Sequence, residues 1–232
     1  MRRVMICLLS ACLLCAWSAV TLAAPAYKVT DMRTARMDAL DLLMECAFES
    51  EYHDDGRNEL VRWEEPLTVY VGGSPTKADR EWMDRFFFEL QARVPLFPGI
   101  TYVSDPASAN VTYYFVKLNQ MKDYISNYVE GNWGYVSFWW NDYRLNRMEI
   151  GIATDVTNQK ERNHLIMEEF INGTGLTNDH NRYADSIVYQ PWTTVQEVSE
   201  LDWIMLNMIY SPEAYAGMES ERFYDAMYHK IR

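Results

Sequence analysis

The sequence predicts a single α/β domain, and three observations carry that expectation. Short runs rich in β-branched and aromatic residues recur at 67–71, 100–103, 111–116, 133–140 and 148–153, which gives five strands. Between and after them, 74–94 and 158–172 carry apolar residues at helical spacing. The resulting order is strand, helix, three strands, strand, helix, turn, helix. A chain of this length has room for one well-buried core.

The elements follow in order. Arg2 and Arg3 precede an apolar run from Val4 to Val20, and small residues fill 21–26, the layout of a secretory signal peptide over 1–26. Leu9-Ser10-Ala11-Cys12 also resembles a lipobox, which would put a lipid on Cys12. An uncleaved anchor ranks third, because the run barely reaches the ~17–25 residues needed to cross a bilayer. Residues 27–232 then form one domain, with a peripheral amphipathic helix at 31–51 and a core at 67–213. Met37, Leu40, Met44 and Phe48 mark one face of that first helix. Residues 53–57 are polar and read as a loop. Ser74-Pro75-Thr76 opens the helix carrying Trp82, Phe86, Leu90 and Val94, and Pro95 and Pro98-Gly99 stop it. A short helical or loop segment occupies 117–127. Residues 185–189 read as a short extended piece. Ser199-Glu200-Leu201-Asp202 has capping-box spacing and opens the last helix, which Pro212 ends.

Composition narrows the function classes. The whole chain carries a formal charge of −12; without Arg2 and Arg3 there remain 19 basic and 33 acidic residues, or −14. Such a surface repels nucleic acid and anionic lipid, so neither is an expected partner. Membrane association would come only from the leader or a lipid on Cys12. Cys7, Cys12 and Cys15 lie in the leader, leaving Cys46 alone in an apolar helical pattern, where an inert buried thiol is expected. Asn110-Val111-Thr112 is a glycosylation sequon that matters only in a eukaryotic secretory pathway.

Chemistry concentrates in residues 168–179. Laid against the zinc-peptidase pattern H-E-x-x-H-x-x-G-x-x-H, with its glycine on Gly175, the three ligand positions hold Glu168, Asn172 and Asn178. The general-base glutamate falls on Glu169. The spacing is kept and every histidine is lost.

On these residues the chain resembles the metzincins, within the wider zincin class of metallopeptidases. Ser186-Ile187-Val188-Tyr189 is similar to that family's methionine turn, with Val188 at the methionine, and Asp202 through Tyr210 is similar to its closing helix. The chain resembles still more closely a secreted bacterial family of unknown function. That family's hallmarks are here Glu168-Glu169, Gly175-Leu176-Thr177-Asn178-Asp179 and Asp185-Ser186-Ile187. The resemblance covers roughly Leu67 to Pro212. It implies a zincin-like α+β fold: a twisted, mixed, five-stranded sheet packed on two long helices, with a C-terminal helix.

The residue types argue against the implied chemistry. Catalytic zinc takes three protein ligands, chiefly imidazoles, and leaves one open position for water. A carboxylate binds zinc, but an amide oxygen is neutral, hard and weakly basic. Without the ion, Glu169 has no activated water to deprotonate. His164 and Glu168 form an alternative i, i+4 pair, with His180 as a further nitrogen, although a lone His near a helix start is expected on the surface. Glu168, Asn172, Asn178, Asp179 and Asn181 offer the oxygens calcium prefers, without the spacing of a dedicated loop. The expectation is therefore no cofactor, with zinc or calcium as minor alternatives. In their place Glu168, Glu169, Asn172, Asn178 and Asp179 are expected to close a hydrogen-bond network that locks helix to turn, with Gly175, Ser186 and Val188 as structural positions.

The aromatic segment Trp133 to Trp140 supplies the binding candidates Trp133, Tyr135, Trp139 and Trp140. In zincins the strand at this place pairs with an extended peptide, so the resemblance implies strand addition; exposed indoles would also stack on sugars. The expected function is a non-catalytic peptide- or protein-binding module, secreted, periplasmic or in the cell envelope. The alternatives are a divergent metallopeptidase with Glu169 as general base, and a glycan-binding envelope protein.

Overall fold

The computed structural model describes residues 3–6, 24–48 and 58–232, with Arg3–Ile6 as backbone alone. The leader over 1–26 therefore lies outside the described residues except at 3–6 and 24–26. Cys12 and the polar loop at 53–57 lie outside them entirely.

The fold is mixed α/β, of the α+β class. One seven-stranded sheet forms from β1 (Arg3–Ile6), β2 (Arg62–Trp63), β3 (Leu67–Gly73), β4 (Ile100–Tyr102), β5 (Val111–Val116), β6 (Gly134–Asn141) and β7 (Arg144–Ala153). Its order is β1-β6-β7-β5-β3-β4, with β2 alongside β7. Strands β4, β3, β5 and β7 run parallel, while β6 and β1 are antiparallel additions at one edge. The five expected strands are present. The sheet gains β2, two residues long and too short for any periodicity, and β1, inside the stretch read as a leader.

Local chemistry explains the boundaries. Thr76 caps α2 (Lys77–Arg93) in a capping box with Asp79. Asn110 accepts from the Thr68 amide at 2.7 Å and donates to Pro66 O at 3.0 Å, tying the entries of β3 and β5 together. β6 and β7 form a hairpin whose turn residues Asp142 and Tyr143 both have positive φ, 48° and 64°. Neither residue is the glycine that usually announces such a turn. The sequence therefore hid the hairpin, and β7 starts at Arg144 rather than at Met148.

Helix α4 (Gln159–Asn172) packs on the sheet against β6 and β7. Tyr113 on β5 donates its hydroxyl to Ile166 O at 2.9 Å and stacks on Phe170. Helix α2 packs on α4, pinned by Arg162 and Asp79, both buried and 3.0 Å apart. Helix α1 (Met32–Phe48) packs against α5 (Glu200–Ile209) and α6 (Ser220–Ile231). The helix read as peripheral thus brings Ala35, Ala39, Leu42, Leu43 and Cys46 into the main core; Met37 and Met44 are only partly buried. On the other sheet face the short helix α3 (Met121–Tyr124) covers a smaller cluster of Val116, Met121, Ile125 and Tyr135.

Two expectations along the chain are corrected. Residues 185–188 form turns rather than an extended piece, and only Tyr189 pairs, in a single bridge to His180. The fold also continues past Pro212 into α6, whose Phe223 and Met227 are buried. Among the described residues, no helix is long and apolar enough to cross a membrane.

Candidate functional site

Helix α4 begins at a full capping box, Asn158 with Glu161, and ends at the Gly173 cap. Two turns of this helix, from His164 to Asn172, are buried throughout. The chain then turns through Gly175, whose φ of +125° only glycine adopts easily, and runs past α1.

His164 is buried, not on the surface as expected, because Trp192 covers it edge-on at 5.8 Å. Its Nδ1 lies 3.2 Å from Val195 O and its Nε2 lies 3.3 Å from the Glu168 carboxyl. A carbonyl only accepts, so Nδ1 carries the proton and Nε2 offers a lone pair. Burial lowers the His164 pKa to about 4. Burial, followed by the nearby Glu169 and Asp179, pushes Glu168 well above the usual carboxylate range. Burial thus disfavours the charged form of both partners, so the contact is not a strong ion pair.

Glu169 is fully buried, and its pKa is raised by burial and by Asp179. Gly134, the first residue of β6, presses on it: a Cβ there would collide with Glu169 Oε1 and Leu165 Cδ2. A glycine inside a strand pattern marks such a close approach, and this was the sequence signal for the contact. Among the described residues, neither Glu169 oxygen has a hydrogen-bond partner, nor does Asn172 Oδ1.

Among the described residues, Glu169 therefore stands outside the expected hydrogen-bond network of five side chains. Asn178 serves the α1 terminus instead: its backbone amide donates to Cys46 O at 2.9 Å and its side chain to Glu45 O at 3.4 Å. Asp179 enters the site through its field on Glu168 and Glu169. His180 accepts at Nδ1 from the Arg182 amide at 3.0 Å, so its proton sits on Nε2, which is buried and has no hydrogen-bond partner among the described residues. Burial and Arg182 lower its pKa to about 4.

The Ser186 turn is held from α5. Buried Asp202 accepts from Ser186 Oγ at 2.7 Å, the Ile187 amide at 2.9 Å and the Ser199 amide at 3.0 Å. One carboxylate thus caps α5 and clamps the turn. The capping role was legible in sequence; the clamp, which joins residues sixteen positions apart, was not. Val188 is buried, and its carbonyl accepts from the His180 amide at 3.0 Å.

The four aromatic candidates are not brought together. Tyr135 is buried in the smaller cluster with its hydroxyl on Asn127 O at 2.8 Å. Trp139 lies under the Arg147 guanidinium at 4.6 Å, and Trp140 packs toward the main core. Trp133 instead meets Trp192 edge-on at 5.5 Å. Trp192 was missed, since nothing around it in sequence marks it out.

The outer edge of β6 completes the geometry. Strand β1 pairs with it antiparallel, Arg3 opposite Trp140 through Ile6 opposite Ser137. No curated protein matches the chain. A family described as a protein of unknown function (DUF2927) matches residues 38–227, from within α1 to within α6. That span takes in the whole α4 site, the Asp202 clamp and strands β2 to β7, so the chain belongs to the DUF2927 family.

Proposed function

We propose that this protein is a non-catalytic module, working outside the cytoplasm on a degenerate zincin-like scaffold, that captures an extended peptide along the outer edge of β6. The observation that carries this is the pairing of β1 on that edge over Ser137–Trp140. A sheet edge offers unpaired amides and carbonyls, and any extended segment of compatible shape satisfies them. Removal of the leader would return that edge to solvent and to other chains.

The residues at the α4 site do not fit a catalytic zinc. Glu168 is engaged by His164, Asn172 offers an amide oxygen, and Asn178 is committed to α1. Among the described residues, no three His, Cys, Asp or Glu side chains group closely enough to hold a metal ion. Glu169, as general base, would need a route to substrate, and it lies buried beneath Gly134.

The test uses residues 27–232 with a synthetic peptide of residues 1–8 carrying C7S. Amide hydrogen exchange of Ser137–Trp140 is expected to slow several-fold on adding the peptide, equally in wild type and in Glu169→Gln. Unchanged exchange there at millimolar peptide would sink the proposal. One tightly held zinc per chain, with peptide hydrolysis lost in Glu169→Gln, would replace it with the peptidase reading.

A further inference from the structure

Helices α1, α2, α5 and α6 enclose a groove of about 570 Å³ that shares no residue with the β6 edge. That volume falls within the range of small-molecule sites. Its floor is apolar: Trp203, Ile204, Met208 and Met227, all buried on their core side. Methionine side chains are unbranched and adaptable, so such a floor moulds to a flexible chain better than to a rigid ring. At the rim Met32 and Leu96 stand 46% and 56% exposed, an apolar surface that water covers at a cost.

The charge at this groove runs against that of the molecule. Arg36, Arg93 and Lys230 line it with one acid, Glu200, while the chain as a whole carries −12. Arg93 pairs with Glu200 and Lys230 with Glu213, in half-exposed contacts that a competing anion can exchange. Arg36 makes no ion pair among the described residues. Arg93 also marks the border with a second groove of about 820 Å³, which shares Glu200 and Trp203 and contains Arg85 stacked on Trp82 at 4.1 Å. That second groove also carries Glu89, Asp185, Glu197 and Glu200, so the excess of cations, Arg36, Arg93 and Lys230 against Glu200, belongs to the first groove alone.

We propose that this groove binds a single-chain amphiphile with an anionic head, its hydrocarbon chain over Trp203 and Met208 and its head at Arg36 and Arg93. The occupant is chosen by charge. A neutral apolar ligand would leave the cations unused, and a cationic one would be repelled by them.

The test is calorimetric titration of residues 27–232 with dodecanoate and with dodecyl phosphate, each below its micelle concentration, and with dodecyl maltoside as the neutral-headed control. Both anions are expected to saturate at one per chain, with the maltoside at least tenfold weaker. Arg36→Gln with Arg93→Gln is expected to weaken both anions about tenfold while leaving the maltoside unchanged. Leu96→Asp, an exposed change, is expected to weaken all three. The phosphate-to-carboxylate ratio identifies the preferred head. Absence of saturable binding by the wild-type chain, or binding indifferent to all these variants in proteins with unaltered melting curves, would overturn the proposal. Displacement of dodecanoate by an equimolar acidic amphipathic peptide would also overturn it, assigning the groove to a protein helix.

Discussion

Glu169 keeps its proton because two costs add: a carboxylate there would lose its water, and it would face the Asp179 charge. The folded state therefore holds this proton to a higher pH than the unfolded chain does. Above the ordinary glutamate range the unfolded chain has released it, so stability falls as pH rises. Glutamine has a similar shape and no charge at any pH. Glu169→Gln is expected to gain about 1–3 kcal/mol over wild type at pH 8 and almost nothing at pH 4.5, read from urea denaturation midpoints. His164 and His180 act in the opposite sense. Their pKa values are lowered to about 4, so they contribute stability above their ordinary value of 6.5 that is lost as pH falls toward 4. A variant Glu169→Gln protein should therefore show the acid limb of its profile intact and its alkaline limb flattened.

Asp202 shows how one side chain couples two elements. It stops α5 from fraying at its first turn and fixes the turn at 186–188 from fifteen or more residues away. Asp202→Ala is expected to cost about 3 kcal/mol, combining a lost cap with hydrogen bonds to a charged acceptor. It should also expose residues 183–190 to proteolysis before the rest of the chain, which limited digestion followed by mass spectrometry would record. At this scale part was legible from sequence: the capping box at Ser199 with Asp202 stood in plain spacing, and Ser74-Pro75-Thr76 announced a helix start whose cap is Thr76 with Asp79. What was hidden depended on partners distant in the chain. The β6–β7 turn uses Tyr143 at positive φ, a choice made tolerable by tertiary packing and not by propensity. The burial of His164 depends on Trp192, and the commitment of Asn178 depends on the end of α1, neither visible in the motif alone.

For the whole molecule, the order of strands and helices as far as Pro212 followed from periodicity, although the β6–β7 turn was not announced by its residues. The seven-strand count did not, because β2 and β1 exist only through their partners β7 and β6. The formal charge of −12 makes the compact state repel itself. Raising NaCl from 50 mM to 500 mM shortens the screening length to a few ångströms and is expected to raise the melting temperature by a few degrees. A fall in calorimetric midpoint would instead mean that ion pairs such as Arg162 with Asp79 dominate the electrostatics. The antiparallel seat of Arg3–Ile6 has one more outcome. If the β6 edge is the peptide site proposed above, those residues, while covalently attached, would act as a tethered competitor at an effective concentration of roughly millimolar and would shut out a free rival of modest affinity. On that proposal, cutting the tether would turn cis occupancy into ordinary bimolecular competition, so removal of the leader would also arm the edge.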